Sequence, residues 1–350
     1  MVSLEALTET LLRGESLKIS DAEAAAHMLA APDPPMESKK AFLDALHVKG
    51  ETATEVTAFA RVYRALARDP EMGEVVDRAV DIVGTGGNGG GGYNISSAAA
   101  ITVAACGVPV LKHGSRAVTS QSGAADFLGL LGLPVQEEPE LLRLSVERLN
   151  FCFIFAPAFH PAFKEIMPAR KALAAEKKRT IFNILGPLIN PAHPRFQLLG
   201  VFAPDWVRPM AESLTALGLE SGLAVCSTLD DGRRMDEFTT AGANTVAGIG
   251  ALSEIDAEWL APDFDLERAH PAELGGGDPA RNVALFEEMV RGRGPRGLID
   301  TIALNAGAAL FLTGAEDEIS TGILRARDAL IGGAVKGWLE EARELYRTGF

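Results

Sequence analysis

Over residues 1 to about 70 the apolar positions recur at spacings of three and four, most clearly in "DAEAAAHMLA", "MESKKAFLDALHV" and "TATEVTAFARVYRALAR". That period lines one face of an α-helix, so the stretch predicts a helical lobe. Ser20 or Asp21 is the expected N-cap of one helix, and Gly50 the expected stop of the next. From Val80 the pattern changes to short apolar runs, "AVDIVG", "VPVLK", "NFCFIFA", "FQLLGVF" and "GLAVCST", divided by glycine turns. Helix-like segments such as "SQSGAADFLGLLG" and "DWVRPMAESLTALG" lie between them. The alternation predicts an α/β fold, a mostly parallel central sheet flanked by helices, beside the smaller all-helical amino-terminal lobe. The tail, "LIDTIALNAGAALFLTG" and then "GILRARDALIGGAVKGWLEEARELYR", reads as two more helices, the second acid-rich late and facing solvent.

Composition then narrows the class. A chain of 350 residues allows one large domain and a lesser one, and 47% apolar with 23% charged residues is ordinary globular usage. No run approaches the eighteen or so apolar residues of a membrane span. The start, "MVSLEALTETLLRGESLKIS", lacks the basic, apolar, small-residue order of a signal peptide, so a soluble cytoplasmic protein is expected. Cys106, Cys152 and Cys226 stand far apart without CxxC or His-paired spacing and read as buried thiols. A net charge of −14 disfavours nucleic-acid binding, while a local basic patch remains open to one small phosphorylated ligand.

Three segments carry candidate chemistry. "DIVGTGGNGGGGYNISS", Asp81 to Ser97, holds seven glycines between a strand ending at Val83 and a helix starting near Asn94 to Ser97. Strand, glycine turn and helix start together aim backbone N–H groups at an anion, and Asn94, Ser96 and Ser97 add side-chain donors. The competing reading is a surface loop, and the string is no Walker loop. "LKHGSRAVTSQSGAAD", Leu111 to Asp126, follows the next strand and gathers Lys112, His113, Arg116, Thr119, Ser120 and Ser122. As a pair, the two loops would converge at the carboxyl edge of one sheet, where open α/β sheets bind ligands. In "DDGRRMDEFTTAG" the adjacent Asp236 and Glu237 suit a hard cation such as magnesium, although Asp-Glu pairs are also common on surfaces.

These strings, together with "KGET", "FAPAFHPAF", "RTIFNILGPLINPA", "MDE" and "LNAGAAL", make the chain resemble the anthranilate phosphoribosyltransferase family from end to end. The resemblance implies a helical lobe over 1–75, with a hinge-side contribution from about 165–182, joined to an α/β lobe over 76–350. It implies Mg²⁺-dependent transfer of phosphoribosyl from phosphoribosyl pyrophosphate (PRPP) to the amine of anthranilate, releasing pyrophosphate, in a homodimer that involves neither nucleic acid nor membrane. Matched motif by motif, PRPP falls to Gly84, Gly87, Asn88, Gly92, Asn94, Ile95, Ser96, Ser97, Lys112, His113, Gly114, Arg116, Thr119, Ser120 and Ala124. The metal falls to Ser96, Asp236 and Glu237, and anthranilate to Gly84, His113, Ser115 and Arg170.

No protein nucleophile is assigned, since attack of the amine at C1 of the ribose needs positioning and charge neutralisation rather than a covalent intermediate. Departures from the family pattern are Asn88 for Asp, Gly92 for Thr, Ser115 for Asn, and about three extra residues after Arg170 in "RKALAAEKKRT". A related transferase or phosphorylase with another acceptor, and a non-catalytic nucleic-acid-binding paralogue, are the alternative functions.

Overall fold

The computed structural model describes residues 2–86, 92–116 and 122–349. Four helices open the chain: α1 (Leu4–Leu12), α2 (Ile19–Ala30), α3 (Met36–Lys49) and α4 (Ala53–Ala65). Gly50 ends α3 as expected, at φ 89°. The start of α2 differs from expectation: Lys18 is the N-cap and makes no side-chain cap bond, so Ser20 and Asp21 lie inside the first turn. A tertiary contact sets this boundary, because the N–H of buried Leu17 donates to Glu55 Oε1 at 2.9 Å and anchors the chain just ahead of the helix.

The remainder alternates strand and helix: β1 (Val80–Gly84), α5 (Ile95–Ala105), β2 (Val110–Gly114), α6 (Ala124–Leu130), α7 (Pro139–Leu149), β3 (Phe151–Phe155), α8 (Ala156–Phe159), α9 (Met167–Ala175), α10 (Phe182–Leu185), β4 (Phe196–Gly200) and α11 (Val207–Ala216). Four strands follow, β5 (Ser221–Leu229), β6 (Arg234–Met235), β7 (Gly242–Gly250) and β8 (Asp256–Trp259). Four helices close the chain: α12 (Pro279–Met289), α13 (Arg296–Leu312), α14 (Ile319–Ile331) and α15 (Ala334–Thr348). The expected second tail helix is therefore two, divided at Gly332 and Gly333, where Gly333 takes φ 109° and ends the helical run. Cys106, expected buried, is only partly so, while Cys152 and Cys226 are buried.

One sheet runs in the order β3-β2-β1-β4-β5-β7-β8, with β6 paired to β5. Its first five strands are parallel, and β6, β7 and β8 are antiparallel additions. The carboxyl ends of β1 and β4 come level at Gly84 and Gly200, and those of β2 and β3 at Gly114 and Phe155. α5, α13 and the last helices cover one face through Ile101, Leu304, Leu330 and Trp338. The opposite face, with Leu199, Ala224 and Ala247, shares a core with Phe42, Phe59, Tyr63 and Phe182, so the helical bundle packs directly onto the sheet. Among the described residues no helix is long and apolar enough to cross a membrane.

The "KGET" string explains how the bundle closes. Lys49 Nζ reaches both oxygens of Glu55 at 2.6 Å, and Glu55 also accepts from the Thr52 N–H in the α4 capping box. The two side chains are 5% and 0% exposed, so the ions are paired almost out of water. Replacing Lys49 by Met leaves the Glu55 charge buried and unpaired; urea denaturation is expected to show a loss of about 3–5 kcal/mol.

Candidate active site

The carboxyl edge of β1, β2 and β4 gathers the candidate chemistry. Strand β2 continues through Gly114, so Lys112 and His113 are strand residues with buried side chains, 2% and 3% exposed, and not part of a solvated basic turn. Lys112 Nζ donates to the Ile82 carbonyl and lies 3.4 Å from Ser96 Oγ in the first turn of α5. Below it, Asp81 is fully buried; it accepts from the His113 N–H at 3.2 Å and from Asn190 Nδ2 at 2.9 Å. Burial pushes the Lys112 ammonium down to about 8 and the Asp81 carboxyl up to about 6, each opposed by the other's charge.

Asp236 and Glu237 arrive from the far side, just after the β5–β6 hairpin. Asp236 is 5% exposed, not a surface acid, and accepts the Gly86 N–H on Oδ2 at 2.7 Å. Only glycine fits beside it: a Cβ on Gly84 would lie 2.3 Å from Asp236 Oδ2, and one on Gly200 would lie 1.5 Å from the Asp236 carbonyl. Asn305 of α13 holds the next residue, accepting the Phe238 N–H and donating to its carbonyl. Desolvation raises both carboxyls, and Glu237 is raised further by Asp236. Glu237 Oε2 is buried with no hydrogen-bond partner. Three carboxylates thus face one lysine, and that excess of negative charge with an orphaned oxygen fits a divalent cation. Among the described residues no cluster of three His, Cys, Asp or Glu forms a closed cage, so other ligands would have to complete the shell.

A ring pathway leads from this edge to Arg170. His113 Nδ1 lies 3.2 Å from the Gly186 carbonyl, which can only accept, so the neutral ring carries its lone pair on Nε2. His160 Nε2, 3.2 Å away, is then the donor. The His160 ring packs on Phe163, which packs on Phe182 and Tyr63, and the Arg170 guanidinium sits 5.8 Å from the Phe163 centroid and 5.3 Å from that of Phe182. The extra residues after Arg170 close in a turn behind α9, with Lys177 at φ 59° and Lys178 paired to Asp44 of α3 at 2.8 Å. Arg170 itself stays in α9, ahead of the insertion.

The structure therefore brings together Gly84, Ser96, Lys112, His113, Asp236 and Glu237. Ile95 and Ser97 are buried in α5, and Ser97 Oγ has no partner there. Gly92, Asn94, Gly114 and Ala124 border the two loops, while Ser115 and Arg116 are exposed, Arg116 pairing with Asp126 at 3.2 Å. Gly87, Asn88, Thr119 and Ser120 lie outside the described residues. Asp81, Asn190 and Asn305 escaped the sequence reading of individual roles, although each stands inside a string already singled out.

Comparison with known proteins agrees with this layout. A family model described as "Glycosyl transferase family, a/b domain" matches residues 76–336, and "Glycosyl transferase family, helical bundle domain" matches residues 5–67. The fold and site thus define a glycosyl transferase. An anthranilate phosphoribosyltransferase of Rhodospirillum rubrum is 40% identical over 96% of this chain and 94% of its own length. The crystal structure of the anthranilate phosphoribosyltransferase of Thermus thermophilus superposes with TM-score 0.86 at 37% identity, covering 97% of this chain and 99% of that one. The Saccharomyces cerevisiae enzyme in complex with PRPP and Mg does so with TM-score 0.85 at 25% identity, covering 99% and 98%. The chain belongs to the anthranilate phosphoribosyltransferase family.

Burial pushes His113 down to about 3 and His160 down to about 4, so both are neutral in the folded protein at neutral pH. Below about pH 6.5 the unfolded chain takes up protons that the folded one refuses, and stability falls as pH falls. Asp81, raised by burial, works in the opposite sense and is common to wild type and variant. For His160→Gln, the loss of unfolding free energy between pH 7 and pH 5 is expected to be smaller than in the wild type by about 2 kcal/mol, measured by denaturant titration at both pH values.

Proposed function

We propose that this chain transfers the phosphoribosyl group of PRPP to the amine of anthranilate in a Mg²⁺-dependent reaction that releases pyrophosphate. The observation that carries the reading is the orphaned carboxylate oxygen of Glu237 beside buried Asp236, set against the glycine turn that leaves β1, in a chain of this family. The solved yeast relative in complex with PRPP and Mg supports the same ligand set here.

Asp236, Glu237 and the Ser96 hydroxyl would hold the metal. A bound Mg²⁺ supplies charge neutralisation for the departing diphosphate. The start of α5 presents its N–H groups to the diphosphate, and Lys112 contributes its ammonium from below. Gly87, Asn88, Gly92, Asn94, Ile95 and Ser97 belong to the same cradle in this reading. Gly114, Arg116, Thr119, Ser120 and Ala124 serve the ribose phosphate. The acceptor ring lies toward His113 and Ser115, with its carboxylate at Arg170. Neutral His113, donating through Nδ1 to Gly186, keeps a positive charge away from the amine that must attack. The reaction needs no protein nucleophile: the amine displaces pyrophosphate at C1, and these residues align the reactants and shield the charge.

Residues 1–75, with a contribution from about 165–182, form the helical lobe in this reading, and 76–350 the catalytic lobe. The family matches to 5–67 and 76–336 support that division. Val2, Leu12, Ile19, Met36 and Val48 are exposed apolar side chains on the bundle, which suits a homodimer formed through it in the cytoplasm.

Two measurements test the reading, both following consumption of anthranilate by its fluorescence in the presence of PRPP. Arg170→Ala is expected to raise the KM for anthranilate about ten- to a hundredfold and to leave the KM for PRPP within about twofold. Chelation of Mg²⁺ is expected to abolish turnover, and Glu237→Gln to weaken Mg²⁺-dependent PRPP binding in calorimetry at least about tenfold. Unchanged anthranilate consumption in both variants overturns the assignment of these residues, and no consumption by the wild type overturns the acceptor.

A further inference from the structure

Asn94 occupies the N-cap position of α5 but makes no capping bond with its side chain. Its amide is turned elsewhere. Oδ1 accepts from Ser122 Oγ at 2.7 Å and from Asn282 Nδ2 at 2.8 Å, and Nδ2 donates to the Ser122 carbonyl at 3.3 Å. Asn282, near the start of α12, is 0% exposed, and its own Oδ1 accepts the Gly277 N–H at 2.9 Å. A backbone N–H can only donate, so the amide of Asn282 has one orientation, and that in turn fixes the orientation of Asn94.

Backbone contact reinforces the link. Gly92 forms an antiparallel bridge with Gly275, and a Cβ on Gly276 would lie 2.5 Å from the Gly92 carbonyl. Three segments meet at one amide: the end of the glycine turn, the end of the second loop at Ser122, and the Gly275–Asn282 stretch. With both lone pairs of its oxygen occupied, Asn94 retains a single N–H for any ligand.

We infer that Asn282 is a positioning residue for PRPP: by holding the Asn94 amide against Ser122 it fixes the start of α5 relative to the segment that leads into α6, although it lies outside the motifs that meet the ligand. This rests on the PRPP-binding reading above. A binding amide that is oriented beforehand does not have to be ordered by the ligand, and the entropy of ordering it would otherwise weaken binding.

The test is calorimetric titration with PRPP and Mg²⁺, which does not depend on the acceptor. Asn282→Asp keeps the acceptor for Gly277 and loses the bond donated to Asn94, so the folded variant, with a Tm lowered by its buried carboxylate, is expected to bind PRPP at least about tenfold more weakly below that Tm, with the KM for anthranilate within about twofold at saturating PRPP. Asn94→Ala is expected to weaken PRPP about as much, and the double variant no further than about twofold beyond Asn94→Ala, because both act through one link. Ser122→Ala, which removes the donor on the other side of Asn94, is expected to weaken PRPP at least about threefold and serves if the Asn282 variant fails to fold. PRPP affinity within twofold of wild type in the folded Asp variant and in Ser122→Ala overturns the inference, as do additive losses in the double variant. Wild-type protein that does not bind PRPP overturns the functional reading itself.

Discussion

Everything at the carboxyl edge of the sheet depends on the close seating of Asp236 on the ends of β1 and β4. The peptide of Asp236 lies where a side chain of Gly200 would stand, and its carboxylate where one of Gly84 would stand. Glycine at both strand ends is thus a requirement of space, and it brings a carboxylate from a distant hairpin within 2.7 Å of the Gly86 N–H. The position is held from behind by Asn305, which grips both polar groups of the Phe238 peptide. Because α13 is buried along nearly its whole length, the acid pair is backed by a helix that is itself part of the core.

The electrostatic consequence is a site under tension. Lys112, Asp81 and Asp236 are removed from water together, the half-buried Glu237 adds its carboxyl beside them, and one ammonium does not balance three carboxylates. Burying a charge without full compensation costs stability, and Glu237 Oε2 has no partner at all. Such an arrangement persists because the surrounding packing over-determines it, and its chemistry asks for a cation with further ligands brought by an anion.

The aromatic pathway has a different character. His113, His160, Phe163, Phe182 and Tyr63 form a continuous set of ring contacts between a central strand and the helical bundle. It joins the edge that collects acids and glycines to the half-buried guanidinium of Arg170. Two chemically distinct ends, one an acidic edge beside a buried lysine and one a guanidinium over aromatic rings, are thereby joined by a single set of ring contacts. The segment after Arg170 leaves these contacts intact because it forms its turn after α9 and ties back to α3 through Lys178 and Asp44.

Local pattern alone determined the alternation of strand and helix, the glycine turn after β1, and the residue types that the site uses, since periodicity, capping and turn chemistry are properties of neighbouring residues. It misjudged features that distant contacts decide. Glu55, through the N–H of Leu17, moved the start of α2, and Gly333 split the last helix. Lys112 and His113 belong to a buried strand, because β2 pairs with β3 as far as Gly114. Asp236 and Glu237 were legible as a cation-binding pair, but that Asp236 is buried against the strand ends follows only from the β5–β6 hairpin folding over them. Asn282 stands nearly two hundred residues from Asn94, and no local signal joins them. What tertiary structure alone decided is which polar groups lose their water together, because burial and pairing are set by residues that meet in space rather than along the chain.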